Sequence, residues 1–270
     1  MNGPVAAGWV FHPSVLIGVG AWTLGYIWLC GPLRRRYRWG RAPGAMQQVT
    51  FHLGSLVALL ALISPLDRLG DEYLFSAHMA QHLLFLFAVA PLWLAGMPGW
   101  LPGKVLPPTI RNLLKPLTQP IAAALVFTGI TLLWHYPAAY GLAQANEWLH
   151  ILEHLTFIGA GLIGWWPMIG PDTPAIPKPT VPVRLLYAFS IALPCTLLGA
   201  IFTFAGQPIY RFYVDAPHPF GLGALEDQRL GGLLMWVPTH MIVLLVAGKI
   251  AAQWLESRPA RVYAHQNLDR

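Results

Sequence analysis

The sequence predicts an all-α, polytopic membrane protein of seven transmembrane helices, with the N-terminus outside and the C-terminus cytoplasmic. Three observations carry that expectation. Of 270 residues, 56% are hydrophobic and only 10% are charged, whereas soluble domains carry roughly 25% charged residues. The apolar residues fall into seven runs of membrane-spanning length. The cations gather in alternate connections between those runs. Mean hydropathy is +0.52, and 12 Trp with 9 Tyr suit aromatic belts at two membrane interfaces. The net charge of +6 sits in short loops, where it sets orientation, so nucleic acid is not an expected partner. Cys30 and Cys195 are too few for a disulfide framework or a thiolate metal site.

The runs lie near Ser14–Gly31, Met46–Leu66, Leu74–Met97, Gln119–Tyr136, Trp148–Ile169, Val183–Ala205 and Leu230–Leu255. Pro91, Pro194 and Pro238 fall inside runs, which helices in lipid tolerate when neighbours satisfy the freed carbonyl groups. Met1 to Gly8 holds no Lys or Arg, so the first run lacks the basic flank of a cleavable signal peptide and is expected to persist as a helix. Arg34, Arg35, Arg36, Arg38 and Arg41 follow the first run; Lys104, Arg111 and Lys115 follow the third; Lys178 and Arg184 join the fifth to the sixth. With Lys249, Arg258, Arg261 and Arg270, fourteen of the 17 cations lie on one side, which the positive-inside rule assigns to the cytoplasm. Arg68, Arg211 and Arg229 are the outer minority. No linker divides the chain, so residues 1–270 are expected to form one domain with a short solvated tail from about residue 257. The outer connection Gly206–Arg229, with Tyr210, Tyr213 and His218, is expected to cap the bundle and to offer a docking surface.

Ionisable side chains at the centre of a span cost about 2.5 to 3.5 kcal/mol, so those that persist are candidates for function. The third run opens with His78, Gln81 and His82, and the fifth with His150, Glu153 and His154. In both, the i, i+3, i+4 spacing gathers the polar groups towards one helix face. His135 ends the fourth run on the same outer side, His12 lies at the mouth of the first, and Asp227 and Gln228 open the seventh, with Met235 two turns on. The expected metal ligands are His78, His82, His135, His150 and His154, supported by Gln81, Glu153, Asp227, Gln228 and Met235, with His12 and Met79 as additional candidates. Imidazoles suit copper, zinc, iron and nickel, and an acid or amide one turn away fixes the ligating tautomer. Copper held or passed on at an outward-facing site is the first reading, and no catalytic residue is assigned. A b-type haem between two facing histidines is the second. The third is a zinc peptidase, since His150-Ile-Leu-Glu-His154 fits the His-x-x-Glu-His pattern. His52, His240, His218 and His265 stay outside the expected core of the site.

Several segments in order carry a family resemblance. They are His78-Met-Ala-Gln-His82-Leu-Leu, Ala90-Pro91, Gly96-Met97-Pro98, Trp134-His135-Tyr136-Pro137 with Tyr140, His150-Ile-Leu-Glu-His154, Trp165-Trp166-Pro167, and Asp227-Gln228-Arg229-Leu230-Gly231-Gly232 with Met235-Trp236. The chain resembles the CtaG-like, caa3-type cytochrome c oxidase assembly factors, seven-span proteins of the bacterial plasma membrane. That resemblance implies a role in forming a haem-copper oxidase, with oxidase subunits and an extracytoplasmic copper carrier as expected partners.

Overall fold

The computed structural model describes residues 8–266 apart from Pro219. Met1–Ala7 and Arg270, both used in the orientation argument, lie outside the described residues. The architecture is all-helical, with no strand among the described residues. The helices are α1 (Pro13–Tyr37), α2 (Ala45–Ile63), α3 (Pro65–Glu72), α4 (Phe75–Gly96), α5 (Leu101–Val105), α6 (Pro108–Leu117), α7 (Pro120–His135), α8 (Pro137–Ala145), α9 (Glu147–Ile169), α10 (Val181–Phe204), α11 (Arg211–Asp215) and α12 (Ala224–Gln266). Proline opens α1, α3, α6, α7 and α8. There its missing N–H costs nothing, because the first helical N–H groups have no partner inside the helix.

Five helices are long and apolar enough to cross a membrane: α1, α2, α4, α10 and α12 as far as Ser257. A sixth is added if α6 and α7, bent by 86° at their junction, count as one broken span. The chain is therefore a multi-pass membrane protein with five to six candidate spans against the seven expected. The shortfall has a local cause. At 23 residues α9 is long enough, but His150, Glu153, His154, Trp165 and Trp166 dilute its hydropathy; α7 alone has only 16 residues.

Several boundaries differ from the expected runs. The second run breaks at Ser64, whose backbone turns extended before Pro65, as the residue before proline must. Ser64 then caps α3, its hydroxyl accepting from Leu66 N at 3.3 Å. Arg34, Arg35 and Arg36 lie within the helical extension of α1, not in a loop. α12 continues to Gln266, so the backbone of the expected tail is helical as far as that residue. In α4 a π-helical turn, Phe85–Val89, precedes Pro91. Pro91 has no N–H to offer the Leu86 carbonyl, and the Trp165 indole donates to that carbonyl at 2.7 Å, which ties α9 to α4 at the irregularity.

Of the five single-helix spans α4 is the most buried and α1 the least. It packs against α2, α3, α9 and α12. Two close approaches fix these contacts. A Cβ on Gly161 of α9 would lie 2.8 Å from Ala90, and one on Gly70 of α3 would lie 2.9 Å from the His78 backbone. Without side chains there, α3 can press on the histidine-bearing half of α4 and α9 on its other half.

Candidate metal centre

The i, i+4 spacing places His78 and His82 together on α4 and His150 and His154 together on α9. The ring centroids lie 4.2 Å apart in the first pair and 4.3 Å in the second. Asn146 fixes where α9 begins, its side chain accepting from Trp148 N at 2.9 Å and Leu149 N at 3.1 Å. Across the interface the His78 ring stacks on His150 at 5.4 Å, and His82 meets His154 edge-on at 5.7 Å. Glu153 enters between them, with Oε1 3.5 Å from His82 Nε2 and 3.9 Å from His78 Nε2.

One ligand atom each from His78, His150, Glu153 and His154 falls within 4.8 Å of the other three. A tetrahedral ion with bonds of about 2.1 Å needs donors about 3.4 Å apart, so the set would have to close by up to about 1.4 Å around an ion. The donors are available. Both ring nitrogens of His78 and of His82, Nε2 of His150 and His154, both carboxylate oxygens of Glu153 and Oδ1 of Asp71 are buried with no hydrogen-bond partner. Each such atom costs about 1 to 3 kcal/mol when left unpaired. Nine of them in one place are the arrangement expected of residues that take a ligand in common.

Asp71 is a residue the sequence reading passed over. Its Oδ1 lies 3.8 Å from His78 Nδ1 and 3.6 Å from His150 Nε2. It stands on α3, a helix too short to show as an apolar run. The available signal was composition: Asp67, Asp71 and Glu72, three of 11 acidic residues in the chain, fall within six positions beside the first histidine pair. His12, Asp67, Asp71, Glu147, His150 and His154 help to line a cavity of about 140 Å³.

The other expected site residues are placed differently. Gln81 faces away from the histidines and donates to the Ala61 carbonyl at 2.8 Å and to Asp67 Oδ1 at 2.7 Å. His12 lies at the cavity rim, 3.6 Å from Asp67 Oδ2. Burial, with the Asp71 charge second, pushes the Asp67 carboxyl up to about 6, while Gln81 and His12 pull it down. His135 is near His82, at 5.7 Å between rings, but outside the four-residue group. Its Nδ1 is 2.7 Å from the Thr131 carbonyl and its Nε2 is 3.2 Å from Met79 Sδ. Asp227 supports α4 instead, accepting from Phe75 N at 2.6 Å, from Ser76 N at 3.2 Å and from the Ser76 hydroxyl. Gln228 accepts from Ile209 N at 2.6 Å and donates to the Phe202 carbonyl at 3.2 Å. Met235 is buried in the apolar core. His240 donates through Nδ1 to the Trp236 carbonyl at 2.7 Å, and its Nε2 lies 3.0 Å from Thr196 Oγ1.

The cap departs from expectation as well. Tyr210 and Tyr213 turn inward and are buried. The Tyr213 hydroxyl donates to the Gly70 carbonyl at 2.8 Å and lies 2.6 Å from the Tyr140 hydroxyl, while Tyr210 donates to the His135 carbonyl at 2.7 Å. The connection thus bolts α3, α7 and α8 together beside the histidines. Its outward hydrophobic residues are Phe212, Val214 and Phe220.

Among curated proteins, the chain is 25% identical over 268 residues to an uncharacterized protein of Mycobacterium leprae (strain TN), covering 91% of this chain and 39% of that one. It is also 25% identical over 204 residues to uncharacterized proteins of Mycobacterium bovis and Mycobacterium tuberculosis, covering 69% of this chain and 31% of each. The chain therefore spans between about a third and two fifths of the length of these relatives. No solved structure matches it. The match that decides its kinship covers residues 24–257, from the middle of α1 to the end of the apolar part of α12 and across every histidine of the cluster, and by it the chain belongs to the cytochrome c oxidase caa3 assembly factor family (Caa3_CtaG).

Proposed function

We propose that the chain serves cytochrome c oxidase formation by holding copper at the His78, His150, Glu153 and His154 group, with Asp71 and His82 in reach, and by handing it on. The carrying observation is the concentration of unpartnered buried donors on α3, α4 and α9. Imidazole nitrogen with one or two carboxylates suits a divalent transition metal, and family membership favours copper as the metal an oxidase needs. Bound copper would accept the lone pairs that these donors leave unpaired. Glu153 and Asp71 offset its charge within the low-dielectric bundle, and the buried rings exclude competing water.

In this reading α6 with α7, and α9, complete seven spans. The N-terminus is outside, the C-terminus is cytoplasmic, and the site opens outward in the bacterial plasma membrane. Oxidase subunits and an extracytoplasmic copper carrier are the partners, and the role is not enzymatic. A reporter fused after Arg270 should be active in the cytoplasm; an external signal would reverse the orientation.

The test of the metal is elemental analysis and an optical spectrum on one detergent-purified sample. Stoichiometric copper without a Soret band supports the proposal. Bound iron with a strong Soret band would replace it by the haem reading, and stoichiometric zinc would replace it by the peptidase reading.

A further inference from the structure

We propose a second metal site beside the first, formed by His135 Nε2 on α7 and Met79 Sδ on α4, that takes a soft monovalent cation of the Cu(I) or Ag(I) class. It goes beyond the preceding proposal and does not require it. The argument begins with protons. His135 Nδ1 lies 2.7 Å from the Thr131 carbonyl, and a carbonyl only accepts, so Nδ1 carries the hydrogen. In the neutral ring Nε2 then presents a lone pair. It points at Met79 Sδ, 3.2 Å away, and a thioether has no hydrogen to give. Two lone pairs face each other in a buried place, with His135 4% exposed and Met79 fully buried.

A proton on Nε2 would resolve the contact only by making a buried imidazolium. Among the described residues no Asp or Glu forms an ion pair with His135, and its ring neighbours are Phe157 at 5.9 Å, Phe202 at 6.0 Å and His82 at 5.7 Å. An unpaired buried charge is strongly disfavoured. A soft cation resolves the contact differently, because both lone pairs become ligands. A nitrogen and a thioether on opposite sides of a two-coordinate soft ion stand about 4.3 Å apart, with bonds of about 2.0 and about 2.3 Å in line, so the flexible Met79 side chain opens the 3.2 Å contact by about 1 Å to admit the ion. The thioether selects the soft ion over a hard one.

His82 stands between the two sites. It is 5.7 Å from His135 and from His154 between ring centroids, its Nε2 is 3.5 Å from Glu153, and among the described residues neither of its ring nitrogens has a hydrogen-bond partner. The two sites therefore differ in hardness and share a neighbour whose imidazole can turn to either.

The experiment loads the full-length detergent-purified protein anaerobically with Cu(I), then measures stoichiometry by chelator competition and ligand type by X-ray absorption at the copper edge. The wild type should show a sulfur neighbour at about 2.3 Å. Met79→Leu, a volume-conserving change, should lose that neighbour and one equivalent of copper. Selenomethionine-labelled wild type, which needs no variant, should show selenium in its place. The double variant His78→Ala/His154→Ala should keep the sulfur neighbour while losing copper bound through nitrogen and oxygen alone. Copper bound to the wild type without a sulfur neighbour overturns the inference, as does a sulfur neighbour that survives Met79→Leu. Copper bound only through sulfur would instead sink the proposed function and leave this site standing.

Discussion

Two buried polar clusters meet α4, and they differ in one respect. At its N-terminal end Asp227 accepts from two backbone N–H groups and a hydroxyl, and neighbouring Gln228 uses both ends of its amide on backbone groups. One turn further along, His78, His82, His150, His154, Glu153 and Asp71 leave nine polar atoms without hydrogen-bond partners among the described residues. The first cluster is completed by the chain itself, so its chemistry is spent on the fold. The second lacks what would complete it. A polar residue inside a span is thus a sign of function only when its own protein leaves it unsatisfied.

The strongest way to break this comparison is to remove ligands. His78→Ala/His154→Ala should abolish the metal bound through nitrogen and oxygen alone while membrane abundance stays near wild type, since removing unpartnered polar groups relieves a cost instead of creating one. Metal content per folded protein is the measurement. If that nitrogen- and oxygen-bound metal is retained, or lost only as the protein disappears, the histidines are a structural network.

Asp227→Ala should do the reverse. Losing hydrogen bonds to a charged acceptor costs about 1.5 to 3 kcal/mol, read as a lower melting temperature in detergent. Metal per folded molecule should hold. If Asp227→Ala strips metal without lowering stability, the division between the clusters fails.

How much of this division the sequence showed depends on the residue. Spacing of i, i+4 brought each histidine pair to one face, and the two faces do meet. The same reasoning treated Gln81 and Glu153 alike, because both sit three residues after a histidine and one before the next. The fold separates them: Glu153 points into the rings, while Gln81 swings to Ala61 and Asp67 on the flank of α4. A residue at i+3 lies near the edge of a helical face, and only the neighbour decides which way it turns. Asp227 looked like a site residue because burial and polarity are legible and hydrogen-bond completion is not. Asp71 was invisible for the opposite reason: α3 is an eight-residue helix whose position depends on the Gly70 contact with His78, a long-range fact. The span count differs for a related reason: the polar and tryptophan residues of α9 lower its apolar signal, and five to six candidate spans stand against the seven expected.

Gly70 offers the next test. Gly70→Ala puts a Cβ 2.9 Å from the His78 backbone, so α3 must move outward and carry Asp71 away from His78 and His150. Outer partners of metal ligands typically change affinity about 10- to 100-fold, and a loss in the lower part of that range is expected by competitive titration. Asp71→Asn, which keeps the shape and removes the charge, should weaken binding by a similar factor. Unchanged affinity in both variants would place Asp71 outside the centre.

The smallest effect is expected at His240, a half-buried histidine within a span, with ordinary partners. One ring nitrogen lies 2.7 Å from the Trp236 carbonyl and the other 3.0 Å from Thr196 Oγ1, so it resembles the Asp227 cluster in being satisfied, although it is a histidine. His240→Ala should lower stability by about 0.5 to 1.5 kcal/mol, the ordinary net value of a hydrogen bond, and leave metal content and affinity unchanged. That pairing of outcomes separates residue type from partner satisfaction. If His240→Ala lowered metal content as deeply as His154→Ala, the imidazole itself would be the signal, and the rule drawn from the two clusters would have to be given up.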